Sequence, residues 1–289
     1  MQVKDRQARA RIAAIIDLER YPIDRPRSPA FDALVTRCLD ELSQDGCCVL
    51  EGFIRPGSVA RMVREATSLA PLAHRSKERH TPYFTPDEPG LPASHPRRTF
   101  QNRTNGFVCY DLIPANSDLR ELFFSDPLSD FLAAAFGRTA LFRYADPLAA
   151  MPINAMQPGD TFPWHFDTNE FTVTVVIQPA ESGGVFEYVP NIRSSEDERY
   201  EAVQAVLAGA GEGVRRLTLK PGDVQLFKGR FTLHRVTAVD GERLRLVAIP
   251  SWSTMPGMVG KPYRTKEIYG RLSSAHLSSD QARGDGLAD

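Results

Sequence analysis

From about residue 140 onward the chain is built of short β-type runs separated by turn residues, and this pattern limits its fold more than any other feature. Strands are expected at 141–144, 152–156, 171–177, 185–189, 214–219, 224–227, 233–236 and 244–250. Turns such as Pro158-Gly159-Asp160 and Pro221-Gly222-Asp223 separate them, and one helix is expected at roughly 196–208. Short strands at this spacing predict a jelly-roll barrel, the double-stranded β-helix of cupin-like proteins. Within FTVTVVIQ, alternation sets Val173, Val175 and Ile177 on one face and Thr172 and Thr174 on the other, which suits a barrel wall.

The N-terminal half reads differently. A frayed helix leads into a proline-rich arm, YPIDRPRSP. Apolar positions 31, 34, 35, 38, 39 and 42 then follow a helical period. Asp45-Gly46 breaks that helix, Cys48-Val49-Leu50 forms a strand, and Pro56 opens a second helix. Residues 117–136 restore helix signals and end at Gly137. The long stretch 74–106, rich in Pro, Arg, Ser and His, is a lid or a surface loop. The expected class is mainly β with N-terminal helices (α+β). It forms one domain over 1–289: a helical layer and lid to 137, a barrel core at 138–255 and a tail at 256–289.

Composition excludes several roles. With 35 basic and 36 acidic residues the chain has no charge excess to attract nucleic acid or an anionic membrane. Its apolar runs fall short of a bilayer span, and its start is too charged for a signal peptide, so a cytoplasmic location is expected. Cys38, Cys47, Cys48 and Cys109 lack CxxC spacing and read as reduced thiols used as small core residues.

The chemistry lies in two stretches, WHFDTNEF and FTLHRVTAVDGERLR. His165, Asp167 and His234 are the ligand set of a two-His-one-carboxylate triad, which leaves positions open on Fe(II) for oxygen chemistry. On a strand, His165 and Asp167 look to the same face while Trp164 and Phe166 pack outward. Zinc accepts the same ligands. Iron is preferred because an HExxH helix is absent and because an arginine downstream suits a dicarboxylate co-substrate such as 2-oxoglutarate. Of the other histidines (74, 80, 95 and 276), read as surface or lid residues, His80 is the one site candidate.

Two arginines compete for that co-substrate. Asp240-Gly241 flanked by apolar residues is a hairpin signal. If those residues form the turn, His234 faces Val247, and Arg243, Arg245, Ile249 and Ser251 share its side. Arg243, nearer the turn and farther from the metal, is favoured, with Arg245 kept as a candidate. Phe162, Ile249 and Ser251 then make a mostly apolar substrate cavity, ill-suited to a buried ammonium. Arg97, Arg98 and Arg103 of the 79–105 lid could meet a substrate carboxylate.

On these residues the sequence resembles the Fe(II)/2-oxoglutarate dioxygenases. SQDGCCVLEGFI followed by a helix is similar to the phytanoyl-type and prolyl-hydroxylase-like branches. WHFDTNEFTVTVVIQ, GGVFEYVPNIR, LFKGRFTLHRVTAV and KEIYGRLSSAH more closely resemble the free-amino-acid halogenases and their hydroxylase relatives. The resemblance implies that His165, Asp167 and His234 bind iron, that Arg243 binds 2-oxoglutarate, and that O2 is consumed with release of succinate and CO2. Halogenating members carry Gly or Ala where this chain has Asp167, so the resemblance implies hydroxylation. The expected substrate is a small amino acid or a derivative, aliphatic or aromatic in preference to lysine. The alternatives are the same chemistry on a larger natural product or lipid-like thioester, and a metal-free jelly-roll binding protein.

Overall fold

Alternation along the strands requires one face of each sheet to be buried under something else, and helices supply that cover for the larger sheet. The computed structural model describes residues 2–76, 78–278 and 287–288. Among these, a seven-stranded sheet runs Cys47–Leu50, Val224–Phe227, Thr172–Gln178, Arg245–Ala248, Ile153–Met156, Gly106–Val108 and His74–Arg75, with antiparallel neighbours throughout. Its outer face carries Leu50, Leu226, Val175, Ile177, Leu246 and Ile153, all at most 2% exposed. These pack with Leu34, Cys38 and Leu42 of the Pro29–Gln44 helix, Met62 of Pro56–Leu69, and Phe131 and Leu132 of Asp126–Ala135. Each fully buried aliphatic side chain there contributes about 1.5–3 kcal/mol. The thiols Cys38, Cys47, Cys48 and Cys109 are free and buried.

The inner face of the same sheet is more polar: Thr172, Thr174, Gln225, Asn154 and Arg245 alternate with the apolar set. Opposite lies a four-stranded sheet, ordered Arg215–Leu217, Phe186–Val189, Leu233–Val236 and Phe162–His165. Its outer face buries Trp164, Val189 and Leu233 with Val203 and Val206 of the Tyr200–Leu207 helix, while Phe186, Tyr188 and His234 face inward. Two sheets in this arrangement give the expected jelly-roll fold. No helix among the described residues is long and apolar enough to cross a membrane.

Three sequence expectations need correction. The Asp240-Gly241 hairpin does not pair Leu233–Val236 with Arg245–Ala248, because these strands lie in opposite sheets. Val239–Asp240 pairs instead with Ser182–Gly183, and Gly241, at φ 84°, turns the chain across to the large sheet. The strand expected to carry both His165 and Asp167 spans Phe162–His165 and ends before Asp167; its proline is tolerated because the strand is at the sheet edge. The helix expected over 117–136 divides into Asp118–Phe123 and Asp126–Ala135, where Ser125 caps the second piece ahead of Pro127.

The C-terminal tail is packed against the barrel. It contains the helices Pro262–Tyr269 and Ser274–Leu277, while residues 279–286 and 289 of the expected tail lie outside the described residues. Asp146, 1% exposed, accepts from the backbone N–H groups of Leu148, Ala149 and Gly260, each at 2.8 Å. It also meets His276 Nε2 at 3.0 Å. His276, fully buried, is therefore a structural residue and not the surface group expected. Replacing Asp146 by Ala leaves these donors unpaired, and the expected loss of stability in urea denaturation is about 3 kcal/mol or more. Limited proteolysis of the variant should open new cuts between residues 257 and 277.

Candidate metal centre

The ladder between Leu233–Val236 and Phe162–His165 pairs His234 with His165, so the two imidazoles emerge side by side on adjacent strands. Their ring centroids are 4.1 Å apart. The register slips between His234 and Val236, whose partner is Phe162. One extra residue on the edge strand thus brings Phe162 to the inner face, against simple alternation. Phe162 stacks on His165 at 3.8 Å.

Backbone carbonyls fix both rings. Each histidine donates Nδ1–H to the carbonyl two residues earlier: His165 to Pro163 at 2.7 Å and His234 to Thr232 at 2.9 Å. That commits Nδ1 and leaves each Nε2 with a free lone pair, the form a metal requires. Burial holds the His165 imidazolium well below its ordinary range, and the neighbouring His234 adds to the effect.

Asp167 lies just past the end of the strand. Its N–H donates to Gly229 O at 3.1 Å, and its Oδ2 accepts from the Thr172 hydroxyl at 2.6 Å. Oδ1 then stands 3.8 Å from His165 Nε2 and 3.6 Å from His234 Nε2. These gaps are too wide for hydrogen bonds, yet two metal–ligand bonds of about 2.1 Å can span them. Burial alone would raise the carboxyl, but His234, then His165 and Thr172, hold it below the usual carboxylate range. The three ligand atoms lie within 4.8 Å of one another, and among the described residues no other cluster of three His, Cys, Asp or Glu side chains gathers in this way. Trp164 and Phe166 pack outward, as alternation predicts.

The arginines separate sharply. Arg243 is exposed at the rim, where its guanidinium donates to the carbonyls of Pro179 (3.1 Å) and Ala180 (3.0 Å). Arg245 is buried on the inner face of the large sheet. It donates to Gly184 O at 3.0 Å and reaches Asn154 Oδ1 at 3.4 Å and Met156 Sδ at 3.8 Å. No carboxylate among the described residues pairs with it, and burial pushes its guanidinium down to about 10. An uncompensated buried cation of this kind is the group expected to hold a diacid.

A cavity of about 180 Å³ opens beside Asp167, walled by Phe84, Phe107, Phe162, Ile249 and Tyr269, with Ser251 and Thr172 among its polar groups. Phe162, Ile249 and Ser251 were expected there. The C-terminal helix, which contributes Arg264, Ile268 and Tyr269, was not. Of the lid arginines, Arg97 pairs with Glu88 and Arg98 with Asp87, while Arg103 is buried beside Glu267. His80 is buried near the centre, 4.1 Å from Phe84 and 6.4 Å from His165 between ring centroids.

Gly229 makes a close approach to the carboxylate. A Cβ there would collide with Asp167 Oδ2 and Thr172 Oγ1, and would stand 2.9 Å from Asp167 Cβ. Gly229→Ala is therefore expected to weaken Mn(II) binding, followed by calorimetry, by about 10- to 100-fold, the usual cost of disturbing the support of a ligand. The barrel should remain folded by circular dichroism.

Known proteins share this chain's family pattern and fold. The family model described as halogenase D matches residues 32–259. No curated protein matches the chain. The fold is shared with an oxidoreductase of the 2OG-Fe(II) oxygenase family from Burkholderia pseudomallei, at 15% identity over 77% of this chain and 92% of that one, with a TM-score of 0.50. AviO1 from Streptomyces viridochromogenes Tue57 is similar at 16% identity over 77% and 94%, with a TM-score of 0.51. A prolyl hydroxylase from Trichoplax adhaerens, in complex with a hypoxia inducible factor peptide fragment, is similar at 12% identity over 76% and 89%, with a TM-score of 0.50. The barrel is thus the fold of the iron- and 2-oxoglutarate-dependent oxygenases, and with more than half of its length matched by the family model the chain belongs to the halogenase D family.

Proposed function

We propose that the protein is an Fe(II)- and 2-oxoglutarate-dependent oxygenase that hydroxylates an unactivated C–H bond of a small amino acid or amino-acid derivative. The observation that carries this reading is the convergence of His165 Nε2, His234 Nε2 and Asp167 Oδ1 in a barrel whose inner face also holds the buried guanidinium of Arg245, which meets no carboxylate among the described residues. Those three residues would hold the iron. Bound there, the metal supplies oxygen activation coupled to the oxidative decarboxylation of 2-oxoglutarate to succinate and CO2.

The chain's own residues supply orientation and dryness. Arg245 replaces Arg243 as the residue that would grip the far carboxylate of 2-oxoglutarate, because its planar fork is buried and faces inward. Phe162, Phe186 and Phe227 surround the imidazoles and keep water from them. Asp167 supports hydroxylation over halogenation: its carboxylate fills the position that is small in the halogenating relatives it resembles. A cavity of about 180 Å³ supports a substrate of amino-acid size over a larger natural product or thioester.

Anaerobic titration with Fe(II) and 2-oxoglutarate tests the proposal. The wild type should take up about one Fe(II) per chain and develop a visible charge-transfer band with 2-oxoglutarate. Arg245→Gln should weaken 2-oxoglutarate binding by about 100-fold, whereas Arg243→Gln should change it by less than about twofold. With oxygen admitted, succinate release across free and acylated amino acids identifies the substrate. Failure of the wild type to bind either component would end the oxygenase reading.

A further inference from the structure

The loop that carries Asp167 also presents to the cavity an asparagine whose orientation is fixed. Asn169 lines the cavity, half-buried, two residues past Asp167. Its Nδ2 donates to two backbone carbonyls, Phe171 O and Trp252 O, each at 2.8 Å. Two carbonyl oxygens at that distance admit the N–H end of a carboxamide and repel its oxygen, so the group cannot be turned over. Oδ1 therefore points away from both carbonyls. No donor among the described residues reaches it, and it keeps accessible surface.

The anchor behind that amide is rigid. Trp252 is fully buried, its ring centroid lies 5.3 Å from that of Phe123, and its Nε1 donates to Ser129 Oγ at 3.0 Å. Thr172, next to Phe171, forms a bridge with Ser251, so the far end of the loop is tied to the same strand region. The neighbouring polar groups are already committed. The Thr172 hydroxyl donates to Asp167 Oδ2 at 2.6 Å, and Asp167 belongs to the metal cluster. Much of the remaining wall is apolar, including Phe84, Phe107, Phe162 and Ile249. A loop brace needs the N–H end of Asn169 alone; its carbonyl end is left over. An acceptor held still among such walls favours a ligand that brings an N–H to it.

Resting on the oxygenase reading, we propose that Asn169 is a specificity-determining residue: its Oδ1 accepts a hydrogen bond from the amino-acid nitrogen of the substrate, either a free ammonium or an acylated N–H. The apolar part of the molecule lies against Phe84, Phe107, Phe162 and Ile249. Because Asn169 and Asp167 share one loop, a molecule held at Oδ1 sits beside the metal cluster. An ester of the same shape puts an oxygen opposite Oδ1 where the N–H would be, and an acid without the nitrogen leaves Oδ1 unanswered.

Calorimetry on the Mn(II)- and 2-oxoglutarate-loaded protein tests this with matched pairs. Two pairs exchange the N–H for oxygen: N-acetyl-L-leucine against O-acetyl-L-leucic acid, and N-acetyl-L-phenylalanine against O-acetyl-L-phenyllactic acid. Two remove the free ammonium: L-leucine against isocaproic acid, and L-phenylalanine against hydrocinnamic acid. In at least one pair the nitrogen-bearing member should bind about fivefold or more tightly than its partner, and the kind of pair that responds tells a free from an acylated nitrogen. In Asn169→Ala the ratio for that pair should fall to within about twofold. A residue that only braces the loop would weaken both members alike and leave their ratio unchanged. The inference is overturned if no nitrogen-bearing probe binds, if no pair reaches the expected ratio, or if the ratio survives in Asn169→Ala. Should Asn169→Ala not fold, Asn169→Ser, whose shorter side chain withdraws the acceptor, takes its place beside the wild-type comparison. Loss of Mn(II) and 2-oxoglutarate binding in the wild type would instead defeat the oxygenase reading, and the same ratios can then be read on the metal-free protein.

Discussion

The pairing of His234 with His165 across one β-ladder is the constraint on which the site depends. Cross-strand neighbours leave the sheet on the same side, so this single register brings two imidazoles together without any help from loops. Slipping the strand by one residue would turn His234 outward to where Arg235 now lies against Trp164. The carboxylate of the cluster is less securely built. Asp167 lies beyond the strand end and relies on the Gly229 carbonyl and the Thr172 hydroxyl. Two candidate ligands on regular structure and one on a supported loop make a preorganised cluster.

The two sheets divide the remaining work. The small sheet carries the imidazoles, and the large sheet carries Arg245 on a face otherwise occupied by Thr174, Gln225 and Asn154. The polar groups of the candidate site therefore come from the inner faces of both sheets. The outer faces show no such compromise: apolar side chains pack there under helices on both sides. Stability therefore comes from the outside of the barrel and chemistry from its inside.

The sequence carries the local parts of this arrangement plainly. His165 and Asp167 are two residues apart, and the Thr/Val alternation of residues 172–177 gives the sheet faces directly. The helix carrying apolar positions 31 to 42 and the strand at 48–50 follow from periodicity and turn residues, and the structure extends them to Pro29–Gln44 and Cys47–Leu50. What the sequence hides is nonlocal. Asp240-Gly241 has the chemistry of a tight hairpin, yet the chain uses it to change sheets, because each flanking strand pairs on both sides with other strands. The expected turn put Arg243 and Arg245 on one face with His234. Arg245 does look inward, but across the barrel, while Arg243 remains at the rim. The C-terminal helix was missed as a cavity wall because its packing depends on Asp146, more than a hundred residues earlier. A buried His–Asp contact at that separation leaves no periodic trace.

The manner in which that helix is fastened has a consequence for how such a protein changes over time. The imidazoles are locked by ladder hydrogen bonds, whereas the wall bearing Arg264, Ile268 and Tyr269 is held by side-chain contacts and, at its two flanks, by the buried Asp146 carboxylate. The wall lies outside the ladder that pairs His234 with His165. The candidate metal cluster and this cavity wall thus belong to separate pieces of the polypeptide, and the wall can change while the ladder that aligns the imidazoles stays fixed.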